Sequence, residues 1–518
     1  MLDLKITGGT VYDGTGRSGV RADIGITGRT ISEVGDLAPA EARRELDARG
    51  RFVCPGFIDA HSHSDAYLLL EPSAPSKLYQ GITTEVVGNC GSSAAPRFGQ
   101  ARLPSDWQAF EYPGFWQSTA EYRAILERVV PAVNVVALVG HNVLRGSVVG
   151  YEGRAATPDE LTAMARLLAE SLDAGARGFS TGLIYPPGMY ASAAEIETLA
   201  RVAAARGGLY TSHMRSEGRQ LIESLEETIG VGRVTGVRVQ VSHLKTSGRA
   251  NWSLIDRALE TIERARAAGI EVAADRYPYV SSCTELDVIF PNWATEGGHE
   301  AELARLRDPA TRARLRADIL ASRPEDYWGI VTIGSSKAQD GRFRGRLLAD
   351  AAGELGMEPV DAALYLIETD KLGTSAFFQG MCEDNMWRIL AQPYVMLGSD
   401  ASVRAPWGPL SRDYPHPRAY GTCPRFLRAA LDGRTVPLEE AVRKMTSLPA
   451  DWFRLADRGR LAPGKAADVV VGDPATVRDL ATYAAPHQLA AGIVHVTVNG
   501  TCELEDGRLT GQRAGAWL

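Results

Sequence analysis

Basic tracts, long apolar runs and paired cysteines are all missing from this sequence. Its 56 Lys and Arg against 63 Asp and Glu leave a formal charge of −7, and no Lys/Arg-rich run stands out. That excludes the basic face that nucleic acid or an anionic membrane requires, and directs attention to small-molecule partners. No apolar run approaches the roughly 20 residues of a membrane helix. The six cysteines (Cys54, Cys90, Cys283, Cys382, Cys423 and Cys502) contain no CxxC pair and are too sparse in 518 residues for a disulfide framework, so a reducing compartment is expected. The first residues, MLDLKITGGTVYDGTG, alternate and turn like a strand and lack the basic and apolar regions of an export signal, so the expected location is the cytoplasm. Oligomeric state is not legible.

What is present is the composition of a folded protein, 45% hydrophobic and 23% charged, long enough for one large core with a satellite. The first 50 or so residues read as short strands between turns, and so do the last 55 or so, with ADVVVGD, HVTVNG and the turn EDGRLTG. A small β domain assembled from both ends is expected, residues 1–55 with 456–518. Between them, apolar β-branched runs alternate with amphipathic helices such as TPDELTAMARLLAESLDAGA, SLIDRALETIERARAAG and PLEEAVRKMTS, the first opening on a Thr cap with Pro in the first turn. That alternation predicts parallel strands joined by crossover helices.

The strand candidates are FIDAHSH, TTEVVGNC, NVVALVGH, GFSTGL, GLYTSH, RVQVSH, EVAADRYPY and YVMLGSD, eight in all, the number that closes a (β/α)8 barrel, here over residues 56–455. Strands seven and eight lie about 115 residues apart, which predicts an insertion between Ser281 and Pro393, with its bulk at about 284–350 and placed to cover the mouth.

Most of these runs finish on a residue able to do chemistry: His61 and His63, Cys90, His213, His243, Tyr277 and Asp400. A barrel carries its active site where its strands end, so these residues would converge on one rim. On an extended strand His61 and His63 would share a side with Ser62 turned away, forming an imidazole pincer for zinc or a similar ion; the alternative is two polar residues at a loop start. Cys90 in GNCGSS offers a thiolate able to bridge two ions, or else a small buried apolar side chain. His213 in YTSHMRSEG and His243 in QVSHLKTSG repeat one pattern, and with the earlier pair they favour metal binding. Asp400 can ligate a metal and accept a proton from water, or serve as a turn carboxylate. His141 also ends a strand and is read as supporting or structural. His299, His487 and His495 fall outside the barrel strands, and His416 in DYPHPRAYGT is assigned to a turn.

In these motifs the chain resembles the amidohydrolase superfamily, and within it the D-aminoacylases, or N-acyl-D-amino-acid deacylases. PGFIDAHSHSD is similar to the superfamily's first-strand signature and LAPGKAADVVV to its return into the small β domain, built as a β-sandwich. GNCG, GLIYPPGMYAS, SHMRSEG, SHLKTSG, GSDA and HPRAYGT follow the D-aminoacylase order along nearly the whole chain. The resemblance implies one tightly held zinc on Cys90, His213 and His243, and a weaker second position on His61, His63 and Asp400 with Cys90 shared. The thiolate replaces the carboxylated lysine of hydantoinases, in agreement with GFSTGL, which carries no lysine. It further implies Asp400 as the proton carrier and Tyr185, Lys245, Tyr277 and Arg418 at the substrate, an N-acyl-D-amino acid whose α-carboxylate needs cationic clamps.

Two departures from the family pattern stand out. The loop ASVRAPWGPLSRDYPHP is longer and brings Arg404, Trp407, Arg412 and Tyr414 toward the rim, and YGTC replaces YGTF, placing Cys423 toward the substrate. A dipeptidase acting on a C-terminal D-residue, a cyclic amidase or deaminase on the same barrel, and a non-catalytic scaffold remain as alternative readings.

Overall fold

The computed structural model describes residues 1–518, the side chain of residue 325 excepted. Eight parallel strands form its centre: β1 (Phe57–Asp59), β2 (Ile82–Val87), β3 (Asn134–Ala137, continued as Val139–Gly140), β4 (Gly178–Gly182), β5 (Leu209–His213), β6 (Arg238–Val241), β7 (Val272–Arg276) and β8 (Val395–Leu397). Neighbours pair in that order from β1 to β8. The ring closes where the Ala60 amide donates to the Leu397 carbonyl at 3.2 Å and the Asp400 amide to the His61 carbonyl at 2.8 Å. The result is a (β/α)8 barrel.

Period-two alternation sorts the strand side chains. Ile58, Ala60, Val86, Val136, Leu138, Leu209, Ala273 and Met396 fill the barrel interior, whereas Phe57, Val87, Val135, Val241, Val272 and Ala274 pack outward in the main core, which also holds residues of the surrounding helices. The helix Pro158–Asp173 shows how the outer layer is specified. Thr157 and Glu160 form a reciprocal capping box and Pro158 occupies the first turn. Met164, Leu167, Leu168 and Leu172 then recur at helical spacing and pack with Phe179 of β4, each Leu contributing about 1.5–3 kcal/mol by burial.

The small domain is drawn from both ends of the chain. Phe52–Pro55 pairs in parallel with Leu4–Val11 and antiparallel with Val469–Gly472, joining the N-terminal strands to the C-terminal ones. These strands belong to one continuous nine-stranded hydrogen-bonded sheet. Its hairpin from Ile493–Val498 to Thr501–Glu505 turns through Asn499 and Gly500 at φ +48° and +82°, the left-handed pair that Asn-Gly adopts at least cost.

Between β7 and β8 lies a separate layer. Ser282–Glu285, Ser375–Phe378 and Val331–Ile333 make a three-stranded antiparallel sheet with its own helices and its own apolar cluster. It extends to Phe378, past the 350 region expected from sequence, because the strand Ser375–Phe378 is the central one and the sheet cannot form without it. No helix among the described residues is long and apolar enough to cross a membrane.

Candidate metal centre at the barrel mouth

The six side chains singled out at strand ends meet at one end of the barrel. His61 and His63 follow β1, Cys90 follows β2, His213 ends β5, His243 follows β6 and Asp400 follows β8. Regular pairing of β1 stops at Asp59, and the alternation changes phase after Ala60. Ile58 and Ala60 face the interior, yet both histidines also reach the mouth, while the Ser62 hydroxyl turns away to Glu85 and the Ala401 carbonyl.

Two donor groups result, His61, His63, Cys90 and Asp400, and Cys90, His213 and His243, each with its ligand atoms within 4.8 Å of one another. Cys90 belongs to both. Its Sγ lies 3.3 Å from His61 Nε2 and 3.4 Å from His243 Nε2. His243 Nε2 faces His213 Nδ1 at 2.9 Å, and Asp400 Oδ1 lies 3.1 Å from His63 Nε2 and 3.3 Å from His61 Nε2. Thiolate, imidazole and carboxylate lone pairs converging in this way suit zinc.

Charge follows the same geometry. Burial works against the Cys90 thiolate, but His61 and His243 outweigh it and hold the thiol well below its usual range. Burial likewise opposes ionisation of Asp400, and Arg418, His243 and His61 overcome it. His63 is pushed up to about 9 and His243 to about 10, in each case because neighbouring anions outweigh burial. Three of the six donors sit in left-handed backbone, Cys90 at φ +51°, His243 at +37° and Asp400 at +50°, a region that side-chain-bearing residues occupy only when their surroundings impose it.

Supporting groups orient the donors. Asp275 Oδ1 lies 3.0 Å from His61 Nδ1 and accepts the His243 amide at 2.9 Å, while Gln240 holds its other oxygen at 2.6 Å. Glu217 Oε1 lies 2.8 Å from His243 Nδ1. A carboxylate on Nδ1 fixes the tautomer that leaves Nε2 with a free lone pair.

A second buried network sits behind them. Lys77, fully buried, donates to Asp59 Oδ2 at 3.0 Å, Ser399 Oγ at 3.2 Å and the Ala401 carbonyl at 2.9 Å, and pairs with Glu85 at 2.9 Å. It thereby ties the segment carrying His61 and His63 to the segment carrying Asp400. Lys77→Met strands two buried carboxylates and is expected to cost about 3–5 kcal/mol, read as a lowered urea midpoint; an unchanged midpoint would refute the linkage.

The strand-end pattern does not single out Asp275, Glu217, Gln240 or Lys77. Asp275 was findable, because it stands two residues beyond Ala273 and so in phase with the interior. Glu217, four residues past His213 in a loop, and Lys77, in a one-turn helix, carry no such periodic signal.

The substrate candidates line the same cavity as the donors. The Tyr185 ring lies 5.0 Å from that of His213. Arg418 stacks over Tyr277 at 4.6 Å and its Nη1 is 2.8 Å from Asp400 Oδ2, an ion-pair contact whose angle is poor for a hydrogen bond. Lys245 is buried and paired with Glu217. Arg404 pairs with Asp413 at 2.6 Å and also lines the cavity, as do Arg412 and Tyr414. Trp407 is exposed beside Glu71. Cys423 differs from expectation: it is buried in the main core on the helix Arg418–Leu431, away from the cavity lining, and Cys283 takes the wall position instead. His141 pairs with Glu195 at 2.8 Å inside the fold, and His416 accepts the Arg418 amide at 3.0 Å, beside the start of that helix. His299 lines the outer cavity; His487 and His495 lie elsewhere.

A barrel that gathers imidazole, thiolate and carboxylate donors at the ends of its strands belongs to the class of metal-site (β/α)8 proteins. The model of the Amidohydrolase family matches residues 44–502, and the chain belongs to that family. It is 42% identical over 506 residues to the N-acyl-D-glutamate deacylase of Alcaligenes xylosoxydans xylosoxydans, covering 96% of this chain and 93% of that one. A solved N-acyl-D-glutamate deacylase from Bordetella bronchiseptica, complexed with zinc and a phosphonate inhibitor that mimics the tetrahedral intermediate, superposes with a TM-score of 0.86 at 38% identity, covering 100% of this chain and 99% of that one. A D-aminoacylase with a binuclear metal centre superposes at 0.85 and 39% identity over both full lengths.

Proposed function

We propose that this amidohydrolase cleaves the amide bond of N-acyl-D-amino acids, releasing a carboxylate and a free D-amino acid. The observation that carries this reading is the pair of donor groups joined through Cys90 and opposed by the Asp400–Arg418 contact, in a chain similar over nearly its full length to deacylases of that kind. Cys90, His213 and His243 would hold the tighter zinc, and His61, His63 and Asp400, with Cys90 shared, the weaker position. When bound, the metal would polarise the amide carbonyl and acidify water.

The chain's own residues do the rest. Asp400 accepts a proton from water and delivers it to the leaving nitrogen, so that acid and base roles fall to one group. Arg418 offers a planar fork to the substrate α-carboxylate, with Lys245, Tyr277 and Tyr185 around it. Because Arg418 and Lys245 are already paired with Asp400 and Glu217, the incoming carboxylate exchanges one anionic partner for another, which limits the cost of desolvating those cations. The sheet-bearing segment between β7 and β8 lines the cavity and would help keep bulk water from the reacting atoms.

Paired N-acetyl-D and N-acetyl-L amino acids test the reading directly. The protein carrying its zinc is expected to hydrolyse the D series and leave the L series intact, by amine release; preference for the L series would sink the assignment.

A further inference from the structure

One wall of the cavity carries four carboxyl groups, none of them in a salt bridge among the described residues. Glu285 and Asp287 come from the segment between β7 and β8, Glu302 from the helix His299–Arg307, and Asp106 from the loop following β2; all four line the cavity that holds the donor cluster. Among the described residues none of the four has a basic side chain within salt-bridge distance. Asp106 accepts the Tyr67 hydroxyl at 2.8 Å and Glu285 that of Thr284 at 3.2 Å. Glu302 is 2% exposed, and its Oε1 has no hydrogen-bond partner. Of the other cations lining the cavity, Lys245 pairs with Glu217, Arg404 with Asp413 and Arg418 with Asp400, Arg344 donates to the Ser336 and Arg412 carbonyls and Arg323 lies over the Tyr327 ring, and Arg102, Arg219, Arg249, Lys337, Lys371 and Arg412 are exposed.

The wall stands close to the chemistry. The Thr284 hydroxyl is 3.2 Å from Glu285 Oε2 and 3.1 Å from the Tyr185 hydroxyl, and Tyr185 packs on His213. Glu285 is therefore two side chains, Thr284 and Tyr185, removed from the donor cluster. Carboxyl groups withdrawn from water without a counter-charge are costly. Burial pushes all four above the usual carboxylate range, Glu302 to about 7.

We infer that this wall receives a positively charged nitrogen of the substrate, an ammonium or guanidinium carried either on the D-residue's side chain or as the free α-amine of an aminoacyl group. The inference rests on the deacylase reading and narrows its substrate class. A D-side chain ending in a carboxylate meets like charge at this wall and is disfavoured. A cation there offsets the desolvated carboxylates as well as making its own contacts, which is why the gain is large for a charge and small for a neutral chain of equal length.

The test compares kcat/KM of the zinc-loaded enzyme for Nα-acetyl-D-lysine and Nα-acetyl-D-arginine, for L-alanyl-D-alanine against its N-acetylated form, and for N-acetyl-D-norleucine and N-acetyl-D-glutamate. At least one cationic arm is expected to exceed its neutral counterpart by about tenfold or more, and Glu285→Gln to cut that ratio by about tenfold. Which arm responds distinguishes side-chain from α-amine recognition. Asp287→Asn provides a second variant should Glu285→Gln fail to fold. Neutral or acidic substrates favoured over both cationic arms, or an unchanged ratio in a folded, zinc-loaded variant, would overturn the inference. If no D-substrate turns over at full zinc content, the deacylase reading itself fails; calorimetric binding of Nα-acetyl-D-lysine against N-acetyl-D-norleucine then still reports on the wall.

Discussion

Asp400→Asn is expected to lower kcat by about 10²–10⁴-fold while the zinc on Cys90, His213 and His243 remains bound. The substitution keeps the volume and one oxygen of the side chain, so the neighbours at 3.1 Å and 3.3 Å need not move. What it removes is the capacity to take and return a proton. It also releases Arg418 from its contact at 2.8 Å, and a freed guanidinium binds the substrate α-carboxylate at least as well. KM should therefore hold steady or fall as kcat drops, the signature of an interaction made in the transition state. Steady-state kinetics with metal analysis reads both. A kcat within about tenfold of the parent would remove Asp400 from the role of proton carrier.

Cys90→Ala should produce the other large effect, a loss of more than about 100-fold in activity together with most of the bound metal. Cys90 is the one donor common to both groups, so its removal weakens both positions at once. Ala retains the Cβ and hence whatever strain the backbone carries at φ +51°, which isolates loss of the ligand from relief of strain. His61→Asn serves as the control: it touches one group only, and should reduce activity more than total zinc. Full zinc and full activity in Cys90→Ala would dismantle the donor scheme.

Much of this is legible because its signals are local: short apolar runs, helical spacing and caps. The apolar run in EVAADRYPY and the capping in TPDELTAMARL mark β7 and the helix Pro158–Asp173, and a residue that ends a strand inherits its place on the rim from the strand. His213 and Asp400 were readable for that reason. Contacts set by irregular backbone were not. Lys77 lies in a four-residue helix whose preceding residue, Ala74, has φ +42°, and nothing in its neighbourhood announces that its ammonium spans two barrel segments. Cys423 was misplaced because a motif gives an order along the chain and not a direction: within the helix Arg418–Leu431, Arg418 reaches the cavity and Cys423 faces the core. The carboxyl wall escaped for a related reason, since Asp106, Glu285 and Glu302 come from three segments that only the fold brings together.

The left-handed backbone at Cys90, His243 and Asp400 has an evolutionary side. Conformations that Gly adopts freely cost other residues roughly 1–3 kcal/mol each when imposed, so a drift toward Gly or Asn at these sites would make a sturdier fold and a poorer metal centre. Selection for robustness and selection for turnover thus pull in opposite directions at three positions that are far apart in the chain and close together at the site. Libraries screened only for heat resistance should accumulate inactive winners there, and a useful thermostable variant will be found by leaving those three positions untouched.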